Sequence, residues 1–175
     1  MRKLFFDLVA YYSVWFACVL GAAHGHAWSG LLISIAITAL QTYVHTQTQA
    51  APLLWRFIGL MTVCGFIVDS LAVQLNWIAL AANPLAFHCS APWMVGLWLN
   101  FSFILYAYLR QHFLNYRLFA VLSLLGFPVA YYAGTALGAA TLPHGLPGLL
   151  AIGVSWSFIC PSVLYVFATR GLTNR

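Results

Sequence analysis

The sequence predicts an all-α, polytopic integral membrane helical bundle of about six transmembrane helices, and three observations predict it. Hydrophobic residues make up 63% of the 175 positions, while fixed charge is limited to seven Lys and Arg and two Asp and Glu. That is too little polar surface to keep a chain of this length in water. Apolar runs of about twenty residues recur along the chain, each long enough to cross a hydrocarbon core of about 30 Å. The basic residues, finally, fall on alternate connections only, which is how cytoplasmic loops are recognised.

Taken in order, the apolar runs place spans at 4–22, 29–46, 53–73, 92–110, 118–138 and 148–169. Together they make one transmembrane helical domain over 1–175, with short connections and left-handed crossings expected. Span one follows Arg2 and Lys3. With the small residues Gly21-Ala22-Ala23 this stretch also has the outline of a cleaved signal peptide, but it outruns the usual apolar core of one and contains Asp7 early, which favours a retained helix. The longest connection, 74–91, contains Asn76-Trp77, Ala81-Ala82-Asn83-Pro84 and His88-Cys89-Ser90 and predicts a short interfacial or re-entrant turn. In span five, Gly134 and Gly138 form a small-xxx-small face expected to pack against a neighbour, and Pro128 and Pro161 predict kinks in spans five and six. The sequence shows no repeat, low-complexity tract or heptad pattern.

Orientation follows from the basic residues. Arg2 and Lys3 precede span one, Arg56 opens span three, Arg110 and Arg117 flank the connection after span four, and Arg170 and Arg175 close the chain. All seven lie on one side, so both termini are expected in the cytoplasm (N-in, C-in). The net charge of +5 does not indicate nucleic acid, because the cations form no cluster with interleaved aromatics. Cys18, Cys64, Cys89 and Cys160 show no CxxC spacing, so neither a disulfide framework nor a zinc framework is expected.

The polar residues within the spans carry whatever chemistry the chain has, because a charge in hydrocarbon costs at least a few kcal/mol. Asp7 lies within a turn of the cytoplasmic end, where Arg2 or Lys3 can neutralise it. Asp69 lies roughly 24 Å from that face at 1.5 Å per residue, about one turn short of the outer face. It shares a stripe with Gly59, Thr62 and Gly65, which belongs against other helices or a wet cavity. Asp69 is therefore either protonated or paired with a polar group from the outer connections. The candidates there are His24, His26, His88 and His144, whose imidazoles, with Cys89 and a carboxylate, are weak candidates for a metal site. Asn100, on a stripe with Trp93, and Trp98, Tyr131 and Trp156 are candidates to line a ligand cavity in the outer half.

Several chemistries are argued against. An intramembrane aspartyl dyad needs adjacent carboxylates, whereas Asp7 and Asp69 belong to opposite ends of their spans. None of the histidines is mid-span, as a b-type haem would require. There is no GxSxG, P-loop or dinucleotide fingerprint.

An ordered series of short motifs runs through nearly the whole chain: Trp15-Phe16-Ala17-Cys18-Val19-Leu20-Gly21-Ala22-Ala23, Gly65 to Val68-Asp69-Ser70, Pro92-Trp93-Met94 with Leu97-Trp98, and Gly126-Phe127-Pro128-Val129-Ala130-Tyr131 through Gly134 to Gly138. In these it resembles the uncharacterised bacterial integral membrane proteins grouped as domain of unknown function 2878. The resemblance implies a small inner-membrane protein and supplies no catalytic residue. It also carries an association with lipid-modifying functions.

The residues alone leave three readings open. One is binding or modification of a membrane lipid or other apolar molecule, with Asp69 as the catalytic proton carrier or polar anchor and Asn100 as an orienting donor. The second is a small proton-coupled transporter or permease driven by Asp69; the chain lacks two-half symmetry, which a homo-oligomer would supply. The third is a non-catalytic membrane assembly subunit. The bilayer itself is the one partner common to all three.

Overall fold

The computed structural model describes residues 2–45, 51–85 and 88–172. Among the described residues six helices form where six spans are predicted: α1 (Arg2–Ala23), α2 (Ser29–His45), α3 (Ala51–Gln74), α4 (Pro92–Leu109), α5 (Tyr116–Ala136) and α6 (Gly145–Leu172). A 3-10 turn, Arg110–His112, follows α4, and two short strands, β1 (Ala79–Leu80) and β2 (Ala140–Thr141), lie in the connections. Five of the helices are long and apolar enough to cross a membrane, and α2, with 17 residues, is a shorter apolar helix.

The distribution of side chains in α2 is the reverse of that in water. The buried residues of α2 are Gly30, Ser34, Thr38, Gln41 and Thr42, while Leu32, Ile35, Leu40 and Tyr43 point outward. A helix solvated by water hides its apolar stripe. One solvated by hydrocarbon gains nothing from doing so and instead turns small and polar residues toward its neighbours. Large apolar side chains also face outward around the rest of the bundle, where Phe5, Leu125, Val129 and Phe158 are among the most exposed residues.

α4 is the central helix, packed by α1, α2 and α3, and α5 and α6 form a hairpin alongside. Close approach is achieved through glycine: a Cβ at Gly30 of α2 would lie 2.6 Å from the Cys18 Cα of α1, and one at Gly96 of α4 would lie 3.1 Å from the Leu31 Cα of α2. Lys3, Arg56, Arg110 and Arg117 occupy the helix ends at one side of the bundle, hereafter the basic end.

At the far end α1, α3 and α5 stop by one device. Gly25, Asn76 and Gly138 take left-handed φ values of 82°, 57° and 84°. The next N–H then reaches back to a carbonyl of the last turn, His26 to Gly21 at 2.8 Å, Trp77 to Ala72 at 2.9 Å and Ala139 to Gly134 at 3.0 Å. This satisfies carbonyls that a helix end leaves open. The expected small-xxx-small packing face on span five is thereby corrected. Gly138 is a helix terminator, and nothing approaches the place of a Cβ at Gly134.

The 74–91 connection also differs from expectation, since β1 pairs antiparallel with β2, Ala79 opposite Thr141 and Leu80 opposite Ala140. The clasp ties the α3–α4 connection to the α5–α6 connection and satisfies backbone groups at the far end.

Both prolines lie inside continuous helices, Pro128 in α5 and Pro161 in α6. Pro128 leaves the Leu124 carbonyl without its helical donor, and Gly153 of α6 packs directly on that spot. A Cβ at Gly153 would lie 2.5 Å from Pro128 Cγ and 2.9 Å from Leu124 O. Gly153→Ala is therefore expected to separate α5 from α6 and to destabilise the fold by about 1–3 kcal/mol, read as a lower unfolding temperature in detergent. Gly59→Ala, where nothing lies within 4 Å, serves as the control.

Candidate functional site: a groove between two buried carboxylates

α5 packs on α6 and leaves a space between itself and the α1/α4 wall. This cavity has a volume of about 300 Å³ and is lined by Tyr11, Trp15 and Val19 of α1, by α4 from Trp93 to Leu109, and by α5 from Phe119 to Gly134. Trp93 and Leu109 are sixteen residues apart on one helix, so the groove runs roughly 24 Å, most of a hydrocarbon core. Ile78 and Ala140, beside and within the strand clasp, line its far end. Its flanks are open to the surroundings of the bundle, for Leu122 and Ala130 on its wall are exposed.

Asp69 sits directly behind this wall, with 1% of its surface exposed. Its Oδ2 accepts from Trp98 Nε1 at 2.7 Å, and its Oδ1 accepts from the Tyr131 hydroxyl. Trp98 and Tyr131 both line the groove, whereas Asp69 does not. The Trp98 indole is laid flat by its surroundings: Gly65, one turn before Asp69 on α3, leaves no room for a Cβ beneath the ring. On its other side Trp156 stacks at 4.4 Å between centroids and 29°. Trp156 is itself fully buried and does not line the groove; its indole N–H lies near the Tyr131 hydroxyl without full hydrogen-bond geometry. Trp93 lines the far end and donates from Nε1 to Ala81 O at 2.9 Å.

Two expectations are corrected here. The partners of Asp69 come from α4 and α5, not from the outer connections. His24, His26, His88 and His144 are exposed, with His24 Nδ1 2.8 Å from its own helix's Leu20 O. Among the described residues no group of three or more His, Cys, Asp or Glu side chains is arranged to hold a metal ion.

Asn100 is the second correction, because it faces away from the groove. On α4 it shares its stripe with Gly96, and a Cβ at Gly96 would meet Leu31 and Ser34 of α2. Asn100 Nδ2 accordingly donates to Thr38 Oγ1 at 2.8 Å and to Gln41 Oε1 at 2.6 Å. It belongs to a second polar centre that sequence reasoning did not assemble.

That centre is built on Asp7, which is wholly buried. Gln41 Nε2 donates to its Oδ1 at 3.0 Å, His45 Nε2 lies 2.7 Å from its Oδ2, and the Tyr108 hydroxyl donates to the same Oδ2. Lys3, one turn away, is exposed, and the side chain of Arg2, the other expected partner, lies outside the described residues; the partners described come from α2 and α4. A signal was present in the sequence: Ser34, Thr38, Gln41 and His45 recur at helical spacing on span two, a polar stripe in an apolar helix.

The molecule thus has a buried carboxylate at each end of an apolar groove, each held by a tyrosine hydroxyl. A family model described as protein of unknown function (DUF2878) matches residues 4–162. The chain is a DUF2878 protein. No curated protein and no solved structure matches it. In this DUF2878 protein the matched region contains both carboxylates and all their hydrogen-bond partners.

Proposed function

We propose that this DUF2878 protein holds the hydrocarbon chain of a membrane lipid, or of a similar elongated apolar molecule, in the groove between α1, α4 and α5. The groove's shape carries the reading: it is long, narrow and apolar along its walls, and it opens sideways toward the bilayer. A ligand pocket of this kind is lined by apolar and aromatic side chains with a few placed polar groups, and here the placed group is the Tyr131 hydroxyl. Asp69 acts through it as a positioning residue, fixing the hydroxyl and taking or returning its proton, so that a polar or unsaturated part of the bound molecule meets Tyr131 rather than the carboxylate. Localisation to a bacterial inner membrane with both ends cytoplasmic is part of this proposal, supported by the basic end of the bundle.

The test is to fill the groove. Gly126 and Gly134 both line it, and at neither does any atom lie within 4 Å of a Cβ, so Gly126→Leu and Gly134→Leu extend into open space. Protein purified in mild detergent is expected to carry lipid enriched in particular species, and both variants are expected to lose most of it while melting as the native protein does. Val129→Leu, on an outward-facing position, should change nothing. If the native protein and the filled variants carry the same lipid in the same amount, the groove is not a binding site.

A further inference from the structure

The centre around Asp7 takes no part in the function proposed above, yet it joins three helices at the basic end of the groove. We infer that Asp7 and His45 form a proton-operated latch that holds α1, α2 and α4 together there. The pair is the one salt bridge among the described residues, with Asp7 wholly buried and the His45 side chain 23% exposed. A proton from the aqueous phase can therefore reach the imidazole while the carboxylate stays dry. Among the described residues, the titratable and charged groups facing His45 are Asp7 from α1 and Tyr108 from α4, with the Phe103 ring edge-on at 5.3 Å; Lys3 is exposed.

The sign follows from charge. With His45 protonated the pair is neutral overall and its attraction is strong in a low dielectric. When His45 loses its proton, Nε2–H can still donate, but a net negative charge remains buried with only neutral donors, which is costly. The latch therefore holds while His45 carries its proton and loosens when a rise in pH removes it. Loosening reaches the groove because Tyr11, one turn beyond Asp7, and Leu109, next to Tyr108, both line it.

Hydrogen exchange in detergent tests this, with His45→Gln as the comparison, since Gln keeps a donor but cannot titrate. At each pH the native protein is compared with the variant, which removes the intrinsic pH dependence of exchange. Amides of residues 3–14 and 101–109 in the native protein are expected to lose protection by about five- to tenfold relative to His45→Gln between acid and alkaline pH. Should that variant fail to fold, histidine-labelled native protein decides by NMR: one imidazole should titrate together with the resonances of Tyr108. Parallel protection in the two proteins at every pH, or a His45 ring that does not titrate, overturns the inference.

Discussion

Gly65→Val is expected to destabilise the protein by about 3 kcal/mol or more, the upper range for overpacking a core. The reason is the absence of any slack. A Cβ at this position falls inside the Trp98 indole, and the far face of that ring is already covered by Trp156. Moving the ring breaks its 2.7 Å hydrogen bond to Asp69 Oδ2 and leaves a buried carboxylate oxygen short of a donor. Thermal unfolding in detergent is the measurement, and Gly59→Val on the exposed face of the same helix should stay within about 0.5 kcal/mol of native. Equal melting temperatures for the two variants would show that Trp98 does not rest on Gly65.

The second large effect is expected at Tyr131. Tyr131→Phe removes the hydroxyl that donates to Asp69 Oδ1 and keeps the ring in the groove wall, so its cost of about 1–3 kcal/mol is that of an unsatisfied buried acceptor. Adding Asp69→Asn to Tyr131→Phe should recover part of that loss, because the amide needs less compensation than the carboxylate. A strictly additive double variant would mean that the two side chains do not act on one another. The same variant separates holding a lipid from changing one: Tyr131→Phe should retain bound lipid, and if the native protein alters that lipid chemically, the altered species should disappear from cells carrying the variant.

Much of the architecture was legible because hydropathy reports a property of each helix by itself. The six spans needed only chain-local information, and the stripe expected on α3 holds at Gly65 and Asp69, which are buried, but not at Gly59, which is exposed. The partners of the carboxylates did not come from such information. Asp7 has Arg2 and Lys3 close by, and proximity in sequence favours those pairings, yet the partners described for it, His45 and Tyr108, are 38 and 101 residues distant. Asp69 finds Trp98 and Tyr131 at separations of 29 and 62 residues. Asn100 was assigned to the outer cavity from its stripe with Trp93 and Gly96, and the stripe is real, but which neighbour it faces depends on how α4 is rotated in the bundle.

What the sequence determined by itself is therefore the medium and the elements: lipid as solvent, six helices, and which polar residues lie within them. Only the tertiary structure decided which of those polar residues meet. In hydrocarbon the outward faces are solvated alike whatever their apolar identity, so little in the exposed residues specifies helix rotation. Rotation is set where backbones touch, at Gly30 against Cys18, Gly65 beneath Trp98 and Gly153 against Pro128. Those contacts carry Asp69 to Tyr131, turn Asn100 toward Gln41 and Asp7, and hold α5 away from α1 and α4, which opens the groove.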